Sequence, residues 1–258
     1  MCAAKVRFVL DEKGLDWTGH YIDILKGEQF DPGYKKLNPK AVVPTLVHDG
    51  LVLVESTVIC EYLDDVAPTP PLRPATAAER AAMRLWTKAV DEDMHPACAD
   101  ITFACCHRHI VQRLGPEGVK RFLDSTPAQS VTAQWHARKK EIVRLGFDAP
   151  DIAHPFALYD LYLQKMEDTL AKSRWLAGDT FSLADVGMTP YLNRLDMLGM
   201  LSQWTRKRPR VTDWFARIKS RPKFKPAFLD WCPADLTSDL RTFGTKSWPD
   251  VERVLQAA

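Results

Sequence analysis

The apolar positions change their period along the chain. Ala3, Val6 and Leu10 recur at helical spacing, and Gly14 after Lys13 suits a C′ glycine, so a first helix ends there. Trp17 to Ile24 alternates loosely, which predicts a strand. A polar stretch with Pro32, Gly33 and Pro39 follows, with room for one short helix around Tyr34 to Leu37. Val43 to Val47 and Leu51 to Val54 bracket His48-Asp49-Gly50, and an Asp-Gly pair between β-branched runs predicts a tight hairpin. Ser56 then N-caps a helix whose stripe is Val58, Ile59, Tyr62, Leu63 and Val66.

Residues 68–76 hold Pro68, Pro70, Pro71 and Pro74 and predict a linker. Beyond it, strand signals largely vanish. Thr76 and Glu79 form a capping box for a long helix from Ala77 to about Val111, bent at Pro96. Residues 114–151 are polar and broken by Gly115, Pro116, Pro127 and Pro150. Helices are expected over Tyr159–Leu170 and near 183–198 and 211–220. The order is α/β first and all-α second. The expected domains are 1–67, a linker over 68–76, and an all-helical 77–258.

Composition narrows the function classes. The formal charge is +2, and no long basic run points to nucleic acid or an anionic membrane. The densest basic stretch, Arg206 to Arg210, reads as a solvated connection. No apolar run is long enough to span a membrane, and no secretory signal is visible. Six cysteines without CxxC pairs or metal-ligand spacing suit reduced thiols in the cytoplasm. Cys105, Cys106, His107 and His109 lie on one helix, where neighbours face different ways, so the cluster reads as structural and no metal is expected.

Two stretches carry candidate chemistry. In Asn38-Pro39-Lys40-Ala41-Val42-Val43-Pro44-Thr45-Leu46, Pro44 falls where a strand begins, as a residue without an N–H must. In Glu55-Ser56, a carboxylate and a hydroxyl meet the start of a helix, whose free N–H groups attract anions. That pairing suits an α-amino acid head group; it also suits a plain N-cap with an acidic neighbour.

Taken together, these stretches resemble the glutathione transferase superfamily over most of residues 2–67. The resemblance implies a thioredoxin-like N-terminal domain followed by the family's helical domain. It implies a cis peptide before Pro44, with the Val43 backbone pairing with the cysteinyl part of glutathione. It gives Glu55 and Ser56 to the γ-glutamyl group and Lys40 to the glycine carboxylate. Ser182-Leu183-Ala184-Asp185 resembles the capping box of the family's buried sixth helix, and Pro190 should kink that helix. Within the family, Glu55 to Asp64 and Arg84 to Asp91 resemble bacterial β-etherases that cleave lignin-derived aryl ethers.

Many relatives read Ser-x-Cys-x-x-Lys-Val-Arg near their start, and Met1 to Arg7 begins inside that pattern. The serine and the first strand of the sheet would then lie before Met1, an expected shortening of about ten residues. Cys2 is left as the candidate catalytic residue, donating to the glutathione sulfur or forming a mixed disulfide with it. Cys2 also reads as a small helix-start residue. Trp86, Phe103 and His107 are candidates for an acceptor pocket between the domains. The expected function is attack of a glutathione thiolate on a hydrophobic, aromatic electrophile, with a β-aryl ether as one candidate. Glutathione-dependent dehalogenation, isomerisation or disulfide reduction are alternatives, as is a non-catalytic glutathione-binding protein. A homodimer is expected from the resemblance.

Overall fold

The computed structural model describes residues 1–124 and 133–257. Helix α1 (Cys2–Glu12) ends as its sequence predicts. Gly14 has φ +64°, and the Leu15 N–H reaches the Leu10 carbonyl at 3.0 Å. Helix α2 (Pro32–Leu37) starts at Asp31, whose carboxylate accepts from the N–H groups of Gly33 and Tyr34. Strands β1 (Thr45–His48) and β2 (Leu51–Val54) pair antiparallel, His48 facing Leu51. Asp49 and Gly50 both have positive φ, 49° and 80°, as a primed hairpin turn requires. Helix α3 (Ser56–Val66) follows.

Two expectations fail here. Trp17 to Ile24 forms no strand, because a strand needs a ladder partner and the one sheet among the described residues is the β1–β2 hairpin. Ser56 is not the N-cap. Glu55 takes that place with φ 67° and no side-chain cap bond, and Ser56 is the first helical residue.

The second half is helical. Helix α4 (Ala77–Ala89) opens with the Thr76/Glu79 capping box. It runs on through a π-helical turn (Val90–Met94), α5 (His95–Thr102), a second π turn (Phe103–His107) and α6 (Arg108–Gln112). The expected long helix is therefore present, but its irregularity sits one turn before Pro96. A widened turn there accommodates the missing N–H and the ring. Within residues 114–151, Gly115–Asp124 form α7 and Ala133–Leu145 form α8; the expected break at Pro127 lies outside the described residues.

Then come α9 (Ala153–Leu170), α10 (Leu183–Met197), α11 (Leu201–Thr205) and α12 (Pro209–Lys219). Two helices the periodicity did not reveal, α13 (Ala234–Lys246) and α14 (Trp248–Ala257), close the chain. The basic connection before α12 is not freely solvated. Arg208 reaches Asp160 at 2.8 Å and Arg210 reaches Glu167 at 2.9 Å, both on α9.

Helix α10 is the pillar of the molecule. It is buried on nearly every side and packs against α1, α4 and α12. Its capping box is complete. Asp185 accepts from the Ser182 N–H at 3.0 Å, the Leu176 N–H at 3.1 Å and the Trp214 indole at 2.8 Å. Pro190 lies inside this helix. Across the two halves, the buried Lys5 ammonium donates to the Thr57 hydroxyl at 2.9 Å and meets Asp91 at 3.3 Å. Arg221 grips Glu12 with two nitrogens. The N-terminal turn of α3 is thus fixed relative to the helical half.

Candidate active site

The loop before β1 is held from behind. Tyr34 Oη and Asn38 Nδ2 both donate to the Val42 carbonyl, at 2.6 and 2.8 Å. Ala41, one residue earlier, is buried with φ 53°, and the Val43–Pro44 peptide is cis. Among the described residues no protein group takes the Val43 backbone N–H or C=O. Two groups that a ladder would normally consume are left presented. Non-glycine residues with positive φ are costly and concentrate at sites of function; here Ala41 and Glu55 flank the same edge.

Sequence reasoning set Lys40 and Glu55 at opposite ends of a tripeptide. The structure joins them, Lys40 Nζ lying 2.5 Å from Glu55 Oε1, with both side chains about half exposed. Exposed pairs of this kind contribute about 0–1 kcal/mol, so a ligand ammonium and carboxylate can replace it at little cost. Ser56 is buried at the first turn of α3, beside backbone N–H groups that lack an intrahelical partner.

A cavity of about 680 Å³ opens between the two halves. Met1, Cys2 and Val43 line one end, and Phe103, His107 and Trp135 line the helical end. Of the expected pocket residues, Phe103 and His107 reach this wall and Trp86 does not. Trp86 is turned into the core toward Tyr162, ring centroids 6.4 Å apart. Lys40, Glu55 and Ser56 lie off the cavity wall; Val43 and Cys2 lie on it.

Cys2 has a partner that no sequence spacing announced. Its Sγ lies 3.4 Å from His95 Nδ1, 93 residues away. Burial pushes the Cys2 thiol up, but the His95 charge, its hydrogen bond and Lys5 outweigh that and bring it down to about 6. His95 is carried on the first turn of α5, directly after the π turn, and packs edge-on to Tyr191 at 6.3 Å. By contrast, burial raises the thiols of Cys60 and Cys106 to about 12 and pushes that of Cys105 up as well. Among the described residues no group of histidines, cysteines and carboxylates is arranged to hold a metal.

The hairpin, the cis proline, the strained Glu55 and the buried capped α10 together define a glutathione transferase fold. The family models agree: residues 1–66 match the glutathione S-transferase N-terminal domain and residues 156–217 the C-terminal domain. The chain is 35% identical over 225 residues to Protein LigF of Sphingobium sp. strain SYK-6, covering 85% of this chain and 86% of LigF. It is 29% identical over 234 residues to a tetrachloro-p-hydroquinone reductive dehalogenase of Sphingobium chlorophenolicum, covering 88% and 91%. The crystal structure of the β-etherase LigF superposes with a TM-score of 0.77 at 33% identity, over 88% of this chain and 93% of that one. The chain belongs to the glutathione S-transferase family, whose cofactor is glutathione.

Proposed function

We propose that this protein is a glutathione transferase that attacks a hydrophobic, aromatic electrophile, with β-aryl ether cleavage as its reaction. Residues 1–67 hold glutathione, 68–76 link, and 77–258 supply the acceptor wall. The Val43 backbone pairs with the cysteinyl unit ahead of cis Pro44. Glu55 and Ser56 take the γ-glutamyl head group and Lys40 the glycine carboxylate. The observation that carries the reading is the cavity itself. It runs from the presented Val43 backbone and the Cys2–His95 pair to an aromatic wall. The similarity to a β-etherase supports the ether as acceptor.

In the reaction, the thiolate sulfur attacks the carbon bearing the aryloxide. A C–S bond forms, the C–O bond breaks, and the aryloxide leaves and takes the proton that the thiol gave up. The positive charge of His95 favours the anionic form of whichever sulfur lies beside it. Incubation with glutathione and 2-phenoxyacetophenone should release phenol and the glutathione thioether in equal amounts. Absence of the thioether would remove the ether reading.

The lowered Cys2 thiol favours one second reading, thiol–disulfide exchange. The Cys2 thiolate would attack the disulfide of oxidised glutathione, forming a Cys2–glutathione disulfide and releasing one glutathione thiolate. Cys2→Ser abolishes that exchange and leaves aryl ether cleavage measurable. A reducing compartment, the cytoplasm, suits a chain of six free cysteines. A homodimer would cover Val47, Leu51, Val58 and Leu85, large apolar side chains exposed on the hairpin, α3 and α4.

A further inference from the structure

The helical end of the cavity has a charge pattern that an apolar acceptor does not explain. Five lysines and arginines line the cavity, four of them from the helical half, and among the described residues no aspartate or glutamate does. Lys26 pairs with Asp23 at 3.3 Å, but Arg194 and Lys139, whose charges act on His107, have no ion pair among the described residues.

Arg194 projects from the buried pillar α10, and its Nε and Nη1 are buried without a hydrogen-bond partner. Lys139 is carried on α8. Its ammonium sits 4.5 Å from the Trp135 ring centroid and 5.4 Å from that of Phe103. The nearest acid, Asp100, is taken by Arg138 at 3.0 Å. His107 is buried with neither ring nitrogen bonded, its ring 5.0 Å edge-on from Phe103. Burial, Arg194 and Lys139 press this imidazole down to about 3, so it is neutral and offers one N–H. Burial likewise brings Lys139 down to about 8.

Buried polar groups are paired in folded proteins, and a cluster of unpaired donors with one sign of charge awaits an anion. Its planar, aromatic surroundings fix what the anion is attached to. We propose that Arg194, Lys139 and His107 form a carboxylate-binding subsite, and that the acceptor is an aromatic molecule carrying a carboxylate. Arg194 supplies a delocalised positive charge and unpartnered N–H groups at Nε and Nη1. Lys139 supplies a point charge, and the rings of Phe103 and Trp135 flank the aromatic body. This subsite lies on the helical half, apart from the Lys40–Glu55–Ser56 edge that takes the ends of glutathione. The identity of its ligand as the acceptor rests on the transferase reading; its preference for an aromatic carboxylate does not.

The experiment compares two matched pairs of probes. In the first pair, 3,5-dinitrobenzoate and its methyl ester cannot react, and their binding is measured by calorimetry with and without glutathione. In the second, 4-chloro-3,5-dinitrobenzoate and its methyl ester are acceptors. The glutathione sulfur displaces chloride from the ring carbon, a C–S bond replacing C–Cl. The carboxylate of each pair should bind at least about tenfold tighter than its ester, about 1.4 kcal/mol.

Arg194→Gln and Lys139→Gln should each raise the Kd and KM of the carboxylates about tenfold. The esters and glutathione should stay within about twofold. Lys139 stands on a half-exposed helix, so its variant keeps the test alive if Arg194→Gln does not fold. If neither chlorinated probe turns over, the transferase reading fails and calorimetry still decides the subsite. Equal binding of acid and ester, or equal losses for both in the variants, overturns the proposal. A rise confined to the KM of glutathione overturns it too, since the cations would then serve the tripeptide.

Discussion

A cysteine becomes a nucleophile through the charges around it, and Cys2, on the cavity wall, has them. Cys2 is brought down to about 6 by His95 and Lys5 against its own burial, whereas Cys105, chiefly through burial, is pushed up. The sign of the pH dependence follows. Below about pH 6 the thiol is protonated and inert; above it the thiolate reacts. Iodoacetamide should therefore label Cys2 with a rate that rises through pH 6 and is nearly level by pH 7.5. His95→Gln removes the opposing charge and leaves the burial, so the midpoint should move above the usual thiol value, to beyond about pH 8.5. Peptide mapping of the labelled protein across pH measures both. An unchanged midpoint in the variant would show that His95 does not set the thiol.

The capping box of α10 shows what an element can store in one side chain. Asp185 is fully buried and accepts from four donors, the two backbone N–H groups, the Trp214 indole and the Ser182 hydroxyl. Asn at this position would keep one acceptor oxygen and turn an NH₂ toward groups that are themselves donors. Asp185→Asn should cost about 2–4 kcal/mol, read as a lowered urea midpoint with unchanged slope. Burial raises the Asp185 carboxyl from 3.8 to about 6, against those hydrogen bonds. The native state then holds this proton more tightly than the unfolded chain. The stability it contributes is complete below about pH 4 and is lost as pH rises through 6. The gap between the wild-type chain and Asp185→Asn should narrow across that interval.

Elements of this kind were legible from the residues, because the Ser-x-x-Asp and Thr-x-x-Glu boxes and the Asp-Gly hairpin are local rules. The π turns and helices α13 and α14 were not. A single inserted residue leaves no periodic trace, and Ala234 to Lys246 has too weak a stripe to stand out. Glu55 stood out as a candidate, but its positive φ did not, since φ depends on where β2 delivers the chain.

At the scale of the whole molecule, the site is a product of the two halves meeting. Cys2 and Val43 come from one, His95 and Arg194 from the other, and no spacing in the sequence joins them. Lys5, Thr57 and Asp91 hold the halves in register beneath it. Glutathione should consequently stabilise the whole chain and not one part. At about 100 times its dissociation constant a ligand adds roughly 2.7 kcal/mol, which for a chain of this size is a rise of about 5–10 °C in the melting midpoint. Glu55→Ala should remove most of that rise by deleting the ammonium partner, while melting without ligand changes by about 1 kcal/mol or less, because the Lys40 pair is exposed. Thr57→Val, which cuts the tether but touches no proposed glutathione contact, should instead lower both melting points together. If Glu55→Ala melts with the full glutathione shift, the γ-glutamyl group is held elsewhere. If Thr57→Val loses only the shift, the contact between the halves matters to binding and not to stability.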